Sequence, residues 1–372
     1  MRIGIDARLG LRSGVGRYTR ELIDAASAYA PEHTFVLFVK PRDLDVLTAL
    51  YKGRSNIEWR AIPGTPFLLG EHLSLSYEVT RARLDLLHIT FDYGMPLLAP
   101  TPTVLTVHDA WFEAETFFRS RWTKLYFQTM TKRGIRKATR IITVSEFVKG
   151  KILTFCPWMR ARAEDILVVP NGVGEEFSPL NGAQQGQDRP AARDPYILYV
   201  GVLAAIKNIM GLLDAYAYLR RIMPAAPRLV VAGKRDSSFP DPLPRVRELG
   251  LESYVTLPGY VSDQALPELY RRAALFVLPS FHEGFGIPVI EAMASGVPVV
   301  ASNRGGLPEV AAGSARLVNP LDPEDMAQGM KAVLCDAAAS RLMVEAGLCR
   351  AKQFSWKTSA RRTLDVYAEV GG

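Results

Sequence analysis

Short, almost wholly apolar runs recur along the chain, each followed by a stretch with helical spacing, in two series separated by one aperiodic segment. The first series predicts strands at 3–5, 35–39, 86–89, 104–107, 141–144 and 166–169. The second predicts strands at 197–200, 229–232, 255–257, 275–278, 299–301 and 317–318. Runs of this kind suit strands buried on both faces, and their alternation with helices suits parallel sheets covered on both sides. Between Phe177 and Pro195 the periodicity gives way to Gly, Gln, Asp, Arg, Pro and Ala, which is a linker composition. The expected fold class is therefore α/β, with doubly wound domains at 1–178 and 195–355 and a linker at 179–194. A last amphipathic helix is expected after Ser355, with Trp356, Leu364 and Tyr367 buried. The length of 372 residues agrees, since single cores stop growing at about 250–300 residues. Two such domains in tandem predict a crevice lined by strand C-termini and helix N-termini.

Composition narrows the function classes. A chain with 48% hydrophobic and 22% charged residues reads as soluble and globular. No apolar run approaches the roughly 18 residues of a spanning helix, and the start enters a strand pattern directly, without signal-peptide architecture. Cys156, Cys335 and Cys349 have no zinc-like spacing and form no disulfide framework, so a cytoplasmic setting is expected. The net charge of +7 is concentrated in 119–140, where eight basic residues occur without an acidic one. Trp122, Leu125, Tyr126, Thr129 and Met130 recur between them at helical spacing. Such a helix suits the anionic inner face of a membrane, and it is equally the pattern of a surface helix packing an aromatic stripe inward. No nucleic-acid module accompanies it, so no nucleic-acid partner is expected.

The chemistry concentrates in 283–298. Glu283, Gly284, Phe285, Gly286 and Ile287 follow a short apolar run stopped by Pro279, and Glu291 lies about one turn into the helix that Pro288 opens. Bare backbone at a helix start suits an anionic or hydroxyl-rich ligand, and two separated carboxylates suit vicinal hydroxyls. A helix-capping carboxylate plus a solvated glutamate gives the same spacing. Gly14 and Gly16 punctuate the loop after the first strand, ahead of a helix expected from near Tyr18, and a plain flexible turn accounts for them as well. The third glycine of a nicotinamide fingerprint is missing, with Thr19 in its place. Lys207 stands at a second strand-to-helix junction, where an ammonium can neutralise a diphosphate, though a solvated lysine also sits there comfortably. His108 ends a strand and can donate to a substrate oxygen or position it, or simply be satisfied at the strand end. The turn at Val261 offers backbone to a base edge or serves as a turn. His88, His108, Asp92 and Asp109 have no ligand-grade spacing, and no metal is expected.

Together these residues resemble the retaining glycosyltransferases of family 4, which have the GT-B fold. The likeness runs through Gly14-Val15-Gly16-Arg17-Tyr18, Val107-His108-Asp109, Thr143-Val144-Ser145-Glu146 and Val168-Val169-Pro170-Asn171-Gly172-Val173. It continues in Tyr199-Val200-Gly201, Lys207-Asn208, Gly259-Tyr260-Val261, the Glu283 and Glu291 pair, and Phe354-Ser355-Trp356. The resemblance implies two Rossmann-like domains facing a central cleft, the final helix crossing back onto the first, acceptor-side domain. It implies a nucleotide-sugar donor as co-substrate, no metal or other cofactor, and a glycan or lipid-linked acceptor in surface polysaccharide or glycolipid assembly. Glu291 would hold the ribose and Glu283 the transferred sugar, with the amides of Gly284, Phe285, Gly286 and Ile287 on sugar and distal phosphate. Lys207 would bind the diphosphate, Gly16 would approach it, backbone near Val261 would read the base, and His108 would face the reacting carbon.

One departure stands out. Where relatives bring an arginine to the diphosphate, five residues before the lysine or immediately before it, this chain has Val202 and Ile206. Arg17 or Lys234 is the candidate replacement. A nucleotide-sugar epimerase on the same fold and a non-catalytic nucleotide-sugar-binding protein are the alternative functions.

Overall fold

The computed structural model describes residues 1–10, 14–63, 69–98, 100–110, 120–179 and 194–372. They divide into two compact units, Met1–Gly172 with Trp356–Gly372, and Val173–Ser355. Apart from Pro179 and Asp194, the expected linker lies outside the described residues.

The first unit is built on a parallel sheet of β1 (Arg2–Asp6), β2 (Thr34–Val39), β3 (Ile57–Ala61), β4 (Leu86–Ile89), β5 (Thr103–Val107), β6 (Arg140–Thr143) and β7 (Ile166–Val168). Their order is β3-β2-β1-β4-β5-β6-β7. Its helices are α1 (Gly14–Tyr29), α2 (Leu44–Leu50), α3 (Leu69–Ala82), α4 (Arg121–Lys137) and α5 (Glu146–Phe155). The apolar runs predict every one of these strands except β3. That strand is an edge, half-exposed beyond Ile57, and its Glu58 takes a forked pair from Arg2 with both contacts at 2.7 Å. Charges interrupt its apolar pattern because it needs burial on one face only. Helix α1 also begins earlier than expected, so Gly14 and Gly16 occupy its first turn instead of a loop. Glycine is tolerated at a helix N-terminus, so its presence alone does not mark the boundary.

The second unit repeats the plan with β8 (Tyr196–Val200), β9 (Arg228–Ala232), β10 (Val255–Gly259), β11 (Ala273–Leu278), β12 (Val299–Ser302) and β13 (Arg316–Val318). The order is β10-β9-β8-β11-β12-β13, again parallel. Its helices are α6 (Ile209–Ile222), α7 (Leu243–Glu248), α8 (Leu266–Arg272), α9 (Ile287–Ala294), α10 (Leu307–Ala311), α11 (Pro323–Cys335) and α12 (Ala337–Ala351). In each sheet the strand order reverses direction once, between β1 and β4 and between β8 and β11. Doubly wound sheets bind ligands outside the strand C-termini at such reversals.

Helix α13 (Trp356–Gly371) returns to the first unit and packs on α1 and on β4, β5 and β6. Its inward stripe is Trp356, Ala360, Thr363, Val366 and Tyr367. Leu364, expected inside, is only half-buried, because one residue past Thr363 is rotated about 100° away from that stripe. Tyr367 Oη meets His88 Nδ1 at 2.5 Å, and His88 Nε2 meets Thr106 Oγ1 at 2.7 Å. This polar chain locks the C-terminal helix onto β4 and β5, and burial holds the His88 pKa down at about 3.

Candidate functional site

At the β8/β11 reversal two loops are stitched together. Phe281 N donates to Ile206 O at 2.9 Å, and Asn208 Nδ2 donates to Pro279 O at 3.2 Å and to Pro320 O at 2.7 Å. Asn208 achieves this in the left-handed region, with φ of 58°, a conformation asparagine tolerates better than most residues. The stitching sets Lys207 Nζ 2.6 Å from Glu283 Oε1, which also accepts from Ser280 Oγ at 2.9 Å. Lys207 is therefore ion-paired, with 24% of its side chain exposed, and is not the solvated lysine that its spacing also allowed.

The backbone of Glu283 is clamped from the other side. Gly306 N donates to its carbonyl at 2.7 Å, and Gly305 lies so close, at φ of 69°, that a Cβ there would stand 2.5 Å from that oxygen. Gly286, at φ of 94°, then turns the chain into α9, whose N-terminus carries the positive end of the helix dipole. The Phe285 ring packs edge-on against Phe354 at 5.4 Å, which leaves only its backbone for a ligand. Gly284 is buried and Ile287 half-buried beside it. Ser280, Gly305 and Gly306 are site residues that sequence reasoning misses. Their roles come from contacts made across the sheet's ends, and no local pattern announces them.

Glu291 lies deeper, 1% exposed, and accepts from Tyr270 Oη at 2.8 Å. A solvated helix glutamate is thereby excluded, and the two carboxylates have different hydrogen-bond donors, Lys207 and Ser280 on Glu283 and Tyr270 on Glu291. Beneath the loops, burial and the Glu283 charge push the Tyr199 phenol well up, so it stays protonated and donates to Val202 O at 3.2 Å. Val202 itself is 47% exposed, and the Ile206 carbonyl is spent on Phe281. Lys234 lies just past β9, and its carbonyl accepts from Leu203 N at 2.9 Å, so its chain starts beside the Val202 loop. Val261 is half-buried two residues past β10.

The remaining predicted residues belong to the first unit. His108 Nε2 faces Thr90 O at 2.9 Å, and its ring meets Tyr18 edge-on at 4.5 Å. Against a carbonyl, Nε2 must carry the proton, which leaves Nδ1 as an acceptor. Burial draws the His108 pKa down to about 4 despite the Thr90 carbonyl and Asp109, so the ring is neutral near pH 7. Nε2 is thus satisfied at the strand end, one of the readings that the position of His108 allowed. Arg17 is half-buried on α1. On α4, capped by Ser120 through Trp122 N at 3.2 Å, Trp122 is 80% and Leu125 55% exposed. The inward-packed aromatic stripe does not form at those two positions. Arg119 lies outside the described residues. Among the described residues no helix is long and apolar enough to cross a membrane, and no three His, Cys, Asp or Glu side chains group as a metal site.

Two family descriptions match the chain, Glycosyltransferase Family 4 over residues 12–177 and Glycosyl transferases group 1 over residues 183–348. The chain belongs to glycosyltransferase family 4. Among curated relatives of this family member, the O-antigen chain mannosyltransferase B of Escherichia coli is 32% identical over 246 residues, 65% of this chain and 64% of that one. The GDP-mannose:cellobiosyl-diphosphopolyprenol alpha-mannosyltransferase of Xanthomonas campestris is 32% identical over 198 residues, 52% of this chain and 48% of that one. The matches thus span less than two thirds of either relative. The solved structure of HepE from Anabaena in complex with UDP and glucose superposes with a TM-score of 0.79 at 20% identity, over 99% of this chain and 100% of that one. The family 4 chain has the GT-B fold, two Rossmann-like parallel α/β units in tandem.

Proposed function

We propose that the chain transfers a hexose from a nucleotide-sugar donor to a hydroxyl of a glycan or lipid-linked acceptor, retaining the anomeric configuration and using no metal. The observation that carries this reading is the Lys207–Glu283 pair at the β8/β11 reversal, beside the glycine-flanked start of α9. A donor diphosphate draws Lys207 to itself and releases Glu283 to a sugar hydroxyl. As the glycosidic bond breaks, charge grows on the distal phosphate, where the Lys207 ammonium and the α9 dipole stabilise it. The departing phosphate oxygen takes the acceptor proton on the same face, so configuration is kept. Glu291 holds the ribose, and neutral His108 accepts a hydrogen bond through Nδ1. Lys234 supplies the second cation that Val202 and Ile206 do not.

GDP-mannose is the first donor to test, given the mannosyltransferase names of the relatives. A thermal-shift panel of GDP, UDP, ADP and dTDP sugars should single out one nucleotide, since a ligand of the native state raises Tm. Nucleotide release with a retained product anomer, unchanged by EDTA, is expected, and an inverted product or loss of turnover in EDTA sinks the mechanism. Exposed Trp122 and Leu125 among the basic residues of α4 support work at an anionic membrane surface from the cytoplasmic side. Absence of binding to phosphatidylglycerol vesicles at low salt overturns that part. The apolar Val202 and Ile206 favour one second reading, a nucleotide-sugar-binding protein without turnover, which predicts donor binding by calorimetry and no nucleotide release with any acceptor.

A further inference from the structure

Two donors of unlike build meet on one oxygen of Glu283. Lys207 Nζ stands 2.6 Å from Oε1, and Ser280 Oγ stands 2.9 Å from the same atom. A carboxylate only accepts, so the Ser280 hydroxyl spends its one proton there. Among the described residues no further hydrogen bond reaches this carboxylate, so Oε2 is without a donor, and it is not sealed from solvent.

The register of the two loops decides which donor can leave. Phe281 N donates to Ile206 O, and Asn208 Nδ2 donates to Pro279 O. The neighbours of Lys207 on both sides thus hold the neighbours of Ser280 on both sides. Ser280 is fully buried, and a single side-chain torsion separates its Oγ from this pinned backbone. Lys207 reaches Oε1 over a flexible four-carbon stem and has 24% of its side chain exposed. A diphosphate attracts the ammonium and finds no charge on the hydroxyl. When Lys207 exchanges partners, Ser280 is the donor that stays.

We propose that Ser280 is a positioning residue for the donor sugar: it keeps Oε1 anchored as Lys207 moves to the diphosphate, so that Oε2 meets a sugar hydroxyl. The proposal rests on the transferase reading, in which Glu283 holds the transferred sugar. Without Ser280 the carboxylate turns freely once Lys207 leaves, and the sugar loses a fixed acceptor. Misplacement by about 1 Å can cost on the order of 10²-fold in rate. The nucleotide half of the donor has no such dependence, because Ser280 is neutral and its proton is already committed.

Calorimetry on the full chain separates the two halves without turnover. The probes are GDP-mannose, UDP-glucose, ADP-glucose and dTDP-glucose, each beside its parent diphosphate. In Ser280→Ala the Kd of the sugar nucleotide that the wild type binds should rise about fivefold or more, while that of the parent diphosphate stays within about twofold. In assays kcat should fall as well, and Ser280→Thr, which keeps the hydroxyl, should recover both. Should the added methyl prevent folding, the Ser280→Ala comparison decides. A merely structural serine would weaken both ligands alike or neither, and an unchanged ratio of the two Kd values overturns the proposal while the donor reading stands. If the wild type binds none of the sugar nucleotides, the transferase reading fails and the role of Ser280 falls with it. Sugar-selective loss in a chain that forms no product would count against turnover and leave the positioning role in place.

Discussion

The two strand reversals stand on the same parallel topology yet hold their charges differently. In the second unit a single ion pair, Lys207 with Glu283, is partly open to solvent beside the positive end of α9. In the first, Asp6, Arg8, Glu71 and Lys40 interlock and are nearly sealed. An anionic ligand can draw Lys207 away from Glu283, because one contact is exchanged for another of the same kind. It cannot open the Asp6–Arg8 fork so readily, since both partners would be left buried and uncompensated. The ligand class is thus set by how exchangeable the charges are at the site, and the shared fold leaves it open.

The largest expected effect falls on the exchangeable pair. Lys207→Ala should lower kcat/KM about 10²- to 10³-fold, the range seen when one donor to developing transition-state charge is removed. Steady-state nucleotide release measures it. If Lys207→Ala turns over normally, or changes the acceptor KM alone, the contrast between the two reversals is wrong.

The contrast also explains what is legible in the sequence. Glu283 and Glu291 share one strand-loop-helix segment, so a local pattern shows both, as another does for Lys207 at its junction. The interior strands, such as β2, β5 and β11, are visible because burial on both faces requires continuous apolar runs. The first-unit cluster comes from positions 6, 8, 40 and 71, and no spacing rule links them before the sheet brings them together. His88 and Tyr367 are 279 positions apart and equally silent. His108 is legible at its strand end, but its proton is assigned by the Thr90 carbonyl, which only the fold supplies.

Acid should separate the units next. His88 and His108, both in the first unit, have folded pKa values of about 3 and about 4, below the ordinary 6.5. As pH falls the unfolded chain takes up these protons first, so the stability they contribute is complete above about 6.5 and is lost on the way down to 4 and 3. At about 1.4 kcal/mol for each step of one in pH, His108 alone accounts for about 3 kcal/mol. Calorimetry between about pH 7 and pH 4.5 should show the first unit's transition moving down ahead of the second's. His108→Asn should flatten that dependence, and a pH-independent scan would remove the buried histidines from the account.

A smaller effect tests whether Glu291 acts on the donor. Glu291→Gln keeps the shape and an acceptor for Tyr270, but gives up the charge. Charge-assisted hydrogen bonds contribute about 1.5–3 kcal/mol, so the donor KM should rise roughly 10- to 100-fold with kcat little changed. Tyr270→Phe should produce a weaker shift in the same direction, because it loosens Glu291 without neutralising it. An unchanged donor KM in Glu291→Gln would make the residue part of the scaffold.

The smallest effect is a gain. Val202 stands 47% exposed in the loop after β8, next to the Lys207 junction. Val202→Arg should lower the Kd of the nucleoside diphosphate several-fold, since an exposed cation contributes about 1 kcal/mol or less. The gain should fade as ionic strength rises toward about 1 M, where the Debye length shrinks to about 3 Å. Lys234→Ala should do the opposite in the wild type and matter less in the Val202→Arg background, if the two cations serve the same phosphates. Additive effects in the double variant would mean that Lys234 acts elsewhere, and the diphosphate would then rest on Lys207 and the α9 start alone.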